Sequence, residues 1–130
     1  MIVLDASVVL ELLLRTPAAG GIDARVFSGR ETLHVPHLLD VEIAHVLRRY
    51  VSRGEMSAER GQQSLQLLGV FPMRRYAHQA LLPRMWELRH NLTAYDAAYV
   101  ALAESLGAVL LTRDARLASA AGHSATVELA

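Results

Sequence analysis

Three carboxylates in this 130-residue chain stand where a charge is hard to accommodate. Asp5 ends the apolar run that begins at Met1, and Asp114 follows the apolar run Ala108–Leu111. Asp96 lies in Leu92–Glu104, a stretch made almost wholly of Ala, Leu, Val and Tyr. That stretch reads as a helix apolar nearly all round, hence a buried one. Each acid has a plain structural explanation. Asp5 and Asp114 can N-cap the helices that follow them, and Thr93 with Asp96 three residues on imitates a capping box. Their joint placement asks for more. Two leave strand ends, one opens a buried helix, and all three can converge on one sheet edge. Carboxylates gathered there repel unless a cation joins them. Hard oxygen ligands suit Mg²⁺ or Mn²⁺, which can activate water and neutralise charge developing on a phosphodiester.

Two further acids, Asp40 and Glu42, belong to the helix predicted over His37–Arg53. At about 100° per residue both lie roughly 80° from the centre of its core stripe, on opposite sides, so periodicity does not choose between them. Ser7 and Thr112 lie within two residues of Asp5 and Asp114. They can orient those carboxylates, or serve as ordinary helix-start and strand-end hydroxyls.

Other chemistries are excluded by what is missing. The 13 residues counted as Lys plus Arg are all arginine, and there is no cysteine. P-loop, Schiff-base and receiver-type phosphotransfer sites need a lysine. The remaining nucleophiles are Ser, Thr, carboxylate or metal-bound water. The six histidines show no HExxH or paired zinc spacing, and no GxSxG elbow occurs.

The elements that must position these groups alternate. Met1–Asp5 reads as a buried parallel strand, Ala6–Leu14 as a helix broken by Pro17-Ala18-Ala19-Gly20-Gly21, and Ile22–Phe27 as a short second helix. Thr32–Val35 is a strand closed by Pro36. The His37–Arg53 helix has Leu39, Ile43, Val46, Leu47 and Tyr50 on its core stripe and stops at Gly54. Ser57-Ala58-Glu59 opens another helix, Val70–Arg74 is a third strand, and Ala77–His90 is helical but kinks or restarts at Pro83. After the Leu92–Glu104 helix come a strand over Ala108–Leu111, a helix over Arg116–Ala121 stopped by Gly122, and a last strand over Thr126–Leu129. Strands alternating with helices imply an α/β fold with a central parallel sheet flanked by helices. Open sheets of this kind bind ligands beyond the carboxyl ends of their strands, where Asp5 and Asp114 fall.

The length fits one domain, and 52% hydrophobic residues can build a core. No segment is apolar for the length of a membrane helix, and the start has no basic flank before Asp5, so no membrane span and no signal peptide are predicted. A cytoplasmic location fits. Net charge is zero and argues neither for nor against a nucleic-acid partner. Arginines do cluster, as at Arg48, Arg49 and Arg53, either to meet phosphates or simply to complement a helix C-terminus.

Four motifs in order resemble the PIN-domain ribonucleases, specifically the VapC-type toxins of VapBC toxin–antitoxin pairs. They are Val3-Leu4-Asp5-Ala6-Ser7-Val8; Val35-Pro36-His37-Leu38-Leu39-Asp40-Val41-Glu42; Leu92–Glu104, the densest; and Leu110-Leu111-Thr112-Arg113-Asp114. The resemblance implies a PIN α/β/α sandwich formed by a single domain over residues 1–130. It implies a Mg²⁺-dependent (or Mn²⁺-dependent) endoribonuclease with Asp5, Glu42, Asp96 and Asp114 as the catalytic, metal-holding quartet and Ser7 and Thr112 in support. It resolves the tie in favour of Glu42. Arg48, Arg49 and Arg113 become candidates for RNA contact, with a tRNA or rRNA loop as substrate. The implied partners are a cognate VapB-type antitoxin, which blocks the site, and a second copy in a homodimer. Some relatives carry a further acid after the last aspartate; here Ala115, Arg116 and Leu117 follow, which weakens the case for a second tightly held metal. The competing reading is a PIN domain kept as a binding or regulatory module with little catalysis, although such relatives usually lose one of the acids.

Overall fold

The computed structural model describes all 130 residues, Met1–Ala130. Five parallel strands run in the order β3-β2-β1-β4-β5, with β1 Ile2–Leu4, β2 Leu33–Pro36, β3 Met73–Tyr76, β4 Val109–Thr112 and β5 Val127–Leu129. The chain adds β2 and β3 to one side of β1, then returns to place β4 on the other. That reversal opens a crevice at the carboxyl ends of β1 and β4. Successive side chains of β1 point to opposite faces, and Ile2, Val3 and Leu4 are all fully buried. Helices therefore cover both faces of the sheet, as an α/β/α sandwich requires.

The helices are α1 Ala6–Leu14, α2 Ala19–Phe27, α3 Leu38–Ser52, α4 Ala58–Val70, α5 Leu82–Glu87, α6 Ala94–Leu106 and α7 Ala115–Ala118. Helix α6 packs across β1, β2 and β4, with α5 against it, while α1 packs on β4 and gathers α2, α3 and α4. Every residue of α6 from Ala97 to Ala103 is buried, as its composition demands. Thr93 caps its start by accepting from the Asp96 N–H at 3.1 Å, and Gly107 ends it in the left-handed region at φ 60°. Because α6 runs antiparallel to β4, which it precedes, its first turn lies at the carboxyl end of the sheet. That is how Asp96 reaches the crevice.

Four expectations move. Helix α2 begins at Ala19 and runs through Gly20 and Gly21, because burying Ala19, Ile22 and Val26 on one face outweighs the poor helix propensity of glycine. Strand β3 starts at Met73 rather than Val70: α4 continues to Val70 and Pro72 separates the two. Within the α3 stripe only Leu39, Ile43 and Leu47 are buried, while Val46 and Tyr50 are half-buried. The last helix spans only Ala115–Ala118, since Leu117 is its one buried anchor. Pro83 does restart its segment: a 3-10 turn over Gln79–Leu81 passes into α5 with the proline in the first turn.

Candidate active site

Asp5 sits where β1 turns into α1, with extended backbone as the N-cap of α1. Its carboxylate is buried and accepts three hydrogen bonds. Oδ1 accepts from the Ala6 N–H at 2.8 Å, and Oδ2 accepts from the Ser7 hydroxyl at 2.8 Å and the Thr112 hydroxyl at 2.7 Å. Each hydroxyl has a second duty. Ser7 Oγ accepts from the Arg113 N–H and Thr112 Oγ1 from the Asp114 N–H, both at 3.0 Å. The ends of β1 and β4 are thus tied together around one carboxylate, and the same hydroxyls set the path of the chain into Asp114.

Asp96 and Glu42 are held differently. Burial, reinforced by the charges of Asp5 and Asp114, pushes the Asp96 carboxyl above the ordinary range; Thr93 and Arg116 oppose this only in part. Glu42, in the second turn of α3, is also pushed up by burial. The Tyr99 hydroxyl donates to its Oε1 at 2.6 Å and pulls it down, while Asp5 and Asp96 push it up again. Asp114 goes the other way. The Arg116 guanidinium donates to Oδ2 at 3.1 Å and the Arg116 N–H to Oδ1 at 2.8 Å, which holds its carboxyl below the usual range.

Asp96 feels the charges of Asp5 and Asp114, and Glu42 those of Asp5 and Asp96, so the four acids gather around one crevice. No three of them close into a ready ligand cage. Two half-buried carboxylates with raised proton affinity form a donor set that suits a hard divalent ion. Mg²⁺ in particular is held by one or two carboxylates with water filling the rest of its shell, so an open set fits it.

The structure separates Asp40 from Glu42, which periodicity does not. Arg75 of β3 grips Asp40 with two hydrogen bonds, at 2.8 and 3.1 Å, and donates to the Leu68 carbonyl at 2.9 Å. Asp40 is thereby committed to holding α3 and α4 on the sheet edge. The three arginines proposed for RNA contact also part company. Arg49, seven residues after Glu42 and on the same face of α3, lines the groove beside Glu42. Arg48 instead lines the groove between α3 and α4. Arg113 pairs with Glu11 at 3.5 Å and lines a groove on the α2 and β5 side.

Two residues at the site escape a reading by motif. Tyr99 was legible only as a buried aromatic, yet a hydroxyl inside an apolar helix must find a partner, and Glu42 is the one it finds. Arg116 is the other; being two positions from an N-capping aspartate is the signal that places it on that carboxylate.

Residues 2–123 match the family model of the PIN domain. The chain is 47% identical over 117 residues to Ribonuclease VapC9 of Mycobacterium tuberculosis, covering 90% of this chain and 88% of that protein. Among solved structures, PAE2754 from Pyrobaculum aerophilum superimposes with a TM-score of 0.74 at 23% identity, over 97% of this chain and 81% of that one. VapBC2 from Rickettsia felis, bound to a DNA fragment from its promoter, gives a TM-score of 0.72 at 14% identity, over 99% and 98%. These two structural likenesses speak to the fold.

Proposed function

The chain belongs to the PIN-domain family, and from that membership we propose that residues 1–130 act as one metal-dependent endoribonuclease domain, the toxin of a toxin–antitoxin pair. The observation that carries the reading is the meeting of Asp5, Glu42, Asp96 and Asp114 around one crevice, with Glu42 and Asp96 both held above the ordinary carboxyl range and Asp96 offset only in part by Arg116. The identity to a named ribonuclease over most of both chains supports the choice of RNA as substrate.

A divalent cation bound there supplies a Lewis acid for the phosphodiester and lowers the pKa of a bound water. Asp5 and Asp96 are the residues we assign as its direct holders. Ser7 and Thr112 fix the Asp5 carboxylate and leave its lone pairs aimed by neutral donors rather than quenched by a cation. Glu42 and Asp114 would complete the set around such an ion and position the attacking water. With Oε1 tied to Tyr99, Glu42 keeps Oε2 to accept a proton from that water, a task its raised proton affinity suits.

The neighbouring VapBC2 structure supports an antitoxin as partner, one that would cover this crevice. A homodimer and a cytoplasmic setting belong to the same reading. No helix is long and apolar enough to cross a membrane.

The test is cleavage of a mixed pool of structured RNAs, tRNAs included, by the purified chain free of antitoxin. Reactions run with Mg²⁺, with Mn²⁺ and with chelator, beside Asp5→Asn. Metal-dependent cutting that the variant loses is the expected result. No cutting together with no Mn²⁺-induced rise in melting temperature would replace this reading with that of a binding module.

A further inference from the structure

A groove adjoins the crevice of carboxylates at Glu42. It is lined by Leu38, Val41, Glu42, His45 and Arg49 of α3 and by Tyr95 of α6. The α3 positions repeat at helical spacing and form one continuous face that runs from Leu38 past Glu42 to Arg49. Tyr95 immediately precedes Asp96, so ring and carboxylate leave the same turn of α6 in adjacent directions. Tyr95 is 61% exposed, and Val41, which lines the same groove, is 67% exposed.

The 13 arginines divide into six that pair with a carboxylate and seven that do not, with Arg49 among the seven. Arg15, Arg25, Arg75, Arg84, Arg113 and Arg116 all pair with carboxylates. Arg49 pairs with none, although Glu42 stands two turns away on the same face. Seven residues along a helix put the two about 10 Å apart. A guanidinium at that distance lies beyond the phosphate that the carboxylates would handle, and within reach of the next phosphates of the same strand. A free guanidinium suits a phosphate's planar pair of oxygens, and an exposed phenol ring suits a base that has left its stack.

We propose that this groove is a nucleotide subsite, in which a single-stranded ribonucleotide segment adjoining the scissile phosphate stacks a base on Tyr95 and sets a neighbouring phosphate on Arg49. The proposal rests on the ribonuclease reading for its occupant. Duplex RNA cannot use it, because its bases are not free to stack on a side chain. His45, between Glu42 and Arg49 on the same face, would lie along the sugar edge of the bound strand.

The experiment is binding, with cleavage prevented by chelator. Fluorescein-labelled oligouridylate, oligoadenylate and a duplex of equal length are titrated into the full chain and followed by anisotropy. Tyr95→Ala is expected to weaken single-strand binding about tenfold, and Tyr95→Phe to restore it. Arg49→Gln is expected to weaken binding and to reduce the slope of log affinity against log salt by about one. Arg30→Gln, an exposed arginine in the loop before β2 at the opposite end of the sheet, serves as the charge-matched control and leaves binding unchanged. An unaltered Mn²⁺-induced shift in melting temperature in Tyr95→Ala verifies that the carboxylates are intact. The proposal is overturned if Tyr95→Ala binds single strands like the wild type, if the duplex binds as well as the single strands, or if no single strand binds. Unmoved RNA binding alongside weakened antitoxin binding would give the groove to the antitoxin instead. If the metal-loaded wild type cuts no RNA but Tyr95→Ala still loses binding, the subsite stands and the nuclease reading falls.

Discussion

Helix α6 carries one carboxylate near each end, and the two are held in opposite ways. The helix dipole alone favours an acid in the first turn, where Asp96 lies, and disfavours one in the last turn, where Glu104 lies. The actual balance is reversed. Glu104 is pulled down to about 2, first by Arg84, which donates to both its oxygens at 2.7 and 3.0 Å, and also by the Ser124 N–H at 2.9 Å. Asp96 is pushed up by burial and by Asp5 and Asp114. Local partners outrank the dipole at both ends. Glu104 is a structural acid that fastens α5 and the 119–126 loop to α6. Asp96 keeps a raised carboxyl that Thr93 and Arg116 offset only in part, and that imbalance is the observation behind the metal-holding role proposed for it.

The sharpest way to break this contrast is Asp96→Asn. We expect RNA cleavage to fall by well over a hundredfold, beyond what changes in merely supporting groups produce. The metal-free variant should melt no lower than the wild type, because the substitution removes a repelled charge and leaves the Thr93 cap on the Asp96 N–H untouched. The sign follows from the raised carboxyl. Its contribution to stability is present at acid pH and lost as pH rises through the raised folded value. The variant should therefore equal the wild type in acid and gain on it toward neutrality, as read by thermal melts across pH. A loss of stability at every pH would make Asp96 a cap after all.

Asp5 shows that a site carboxylate need not be left uncompensated, and Thr112→Val tests the difference. Valine keeps the shape of the buried threonine but removes a donor to Asp5 and the acceptor for the Asp114 N–H. We expect a loss of roughly 1–3 kcal/mol from leaving those groups unpaired. Cleavage should drop about ten- to a hundredfold, the scale for outer groups that orient a metal ligand. Chemical denaturation and single-turnover cleavage give the two numbers. Full activity with lowered stability would reduce Thr112 to a strand-end hydroxyl.

The chain yields its layers readily, because strands buried on both faces read as short apolar runs and α6 is apolar almost throughout. Asp5, Asp96 and Asp114 are equally legible, since each interrupts or ends such a run. The choice of Glu42 over Asp40 is not legible from spacing, because it is made by Arg75, which arrives 35 residues later from β3. The same holds for Arg48 and Arg49: one residue of helix rotation sends them to different grooves, and only the packing of α4 and α6 around α3 says which is which. Helix α2 misleads because its glycines speak for a break while its buried side needs the helix, and burial prevails.

A smaller effect tests the other end of α6. Glu104→Gln should lower the melting temperature by a few degrees and leave cleavage unchanged. Here the sign is opposite to that at Asp96. A lowered carboxyl contributes stability above the ordinary value of 4.5 and loses it as pH falls toward about 2. The gap between wild type and variant should therefore be widest at neutral pH and close in acid, where the Asp96→Asn gap also closes but from the other side. Two variants on one helix with pH profiles of opposite sign would establish that the two acids serve different ends.

The smallest effect concerns Asp114, the one site carboxylate with a cation of its own. Arg116 is 89% exposed and holds Asp114 from two positions away. Exposed pairs add little to stability, so Arg116→Gln should melt like the wild type. Its consequence is electrostatic: the guanidinium also bears on Asp96 and competes with any cation drawn to the same carboxylates. Removing it should tighten Mn²⁺ binding about threefold, the scale of one solvent-screened charge a few ångströms away. The gain should fade as salt screens that charge. Calorimetric titration of Mn²⁺ at low and high salt reads both effects. Weaker Mn²⁺ binding in the variant would mean that Arg116 holds Asp114 in place for the metal rather than competing with it, and Asp114 would then belong with the pre-set Asp5 instead of with Asp96.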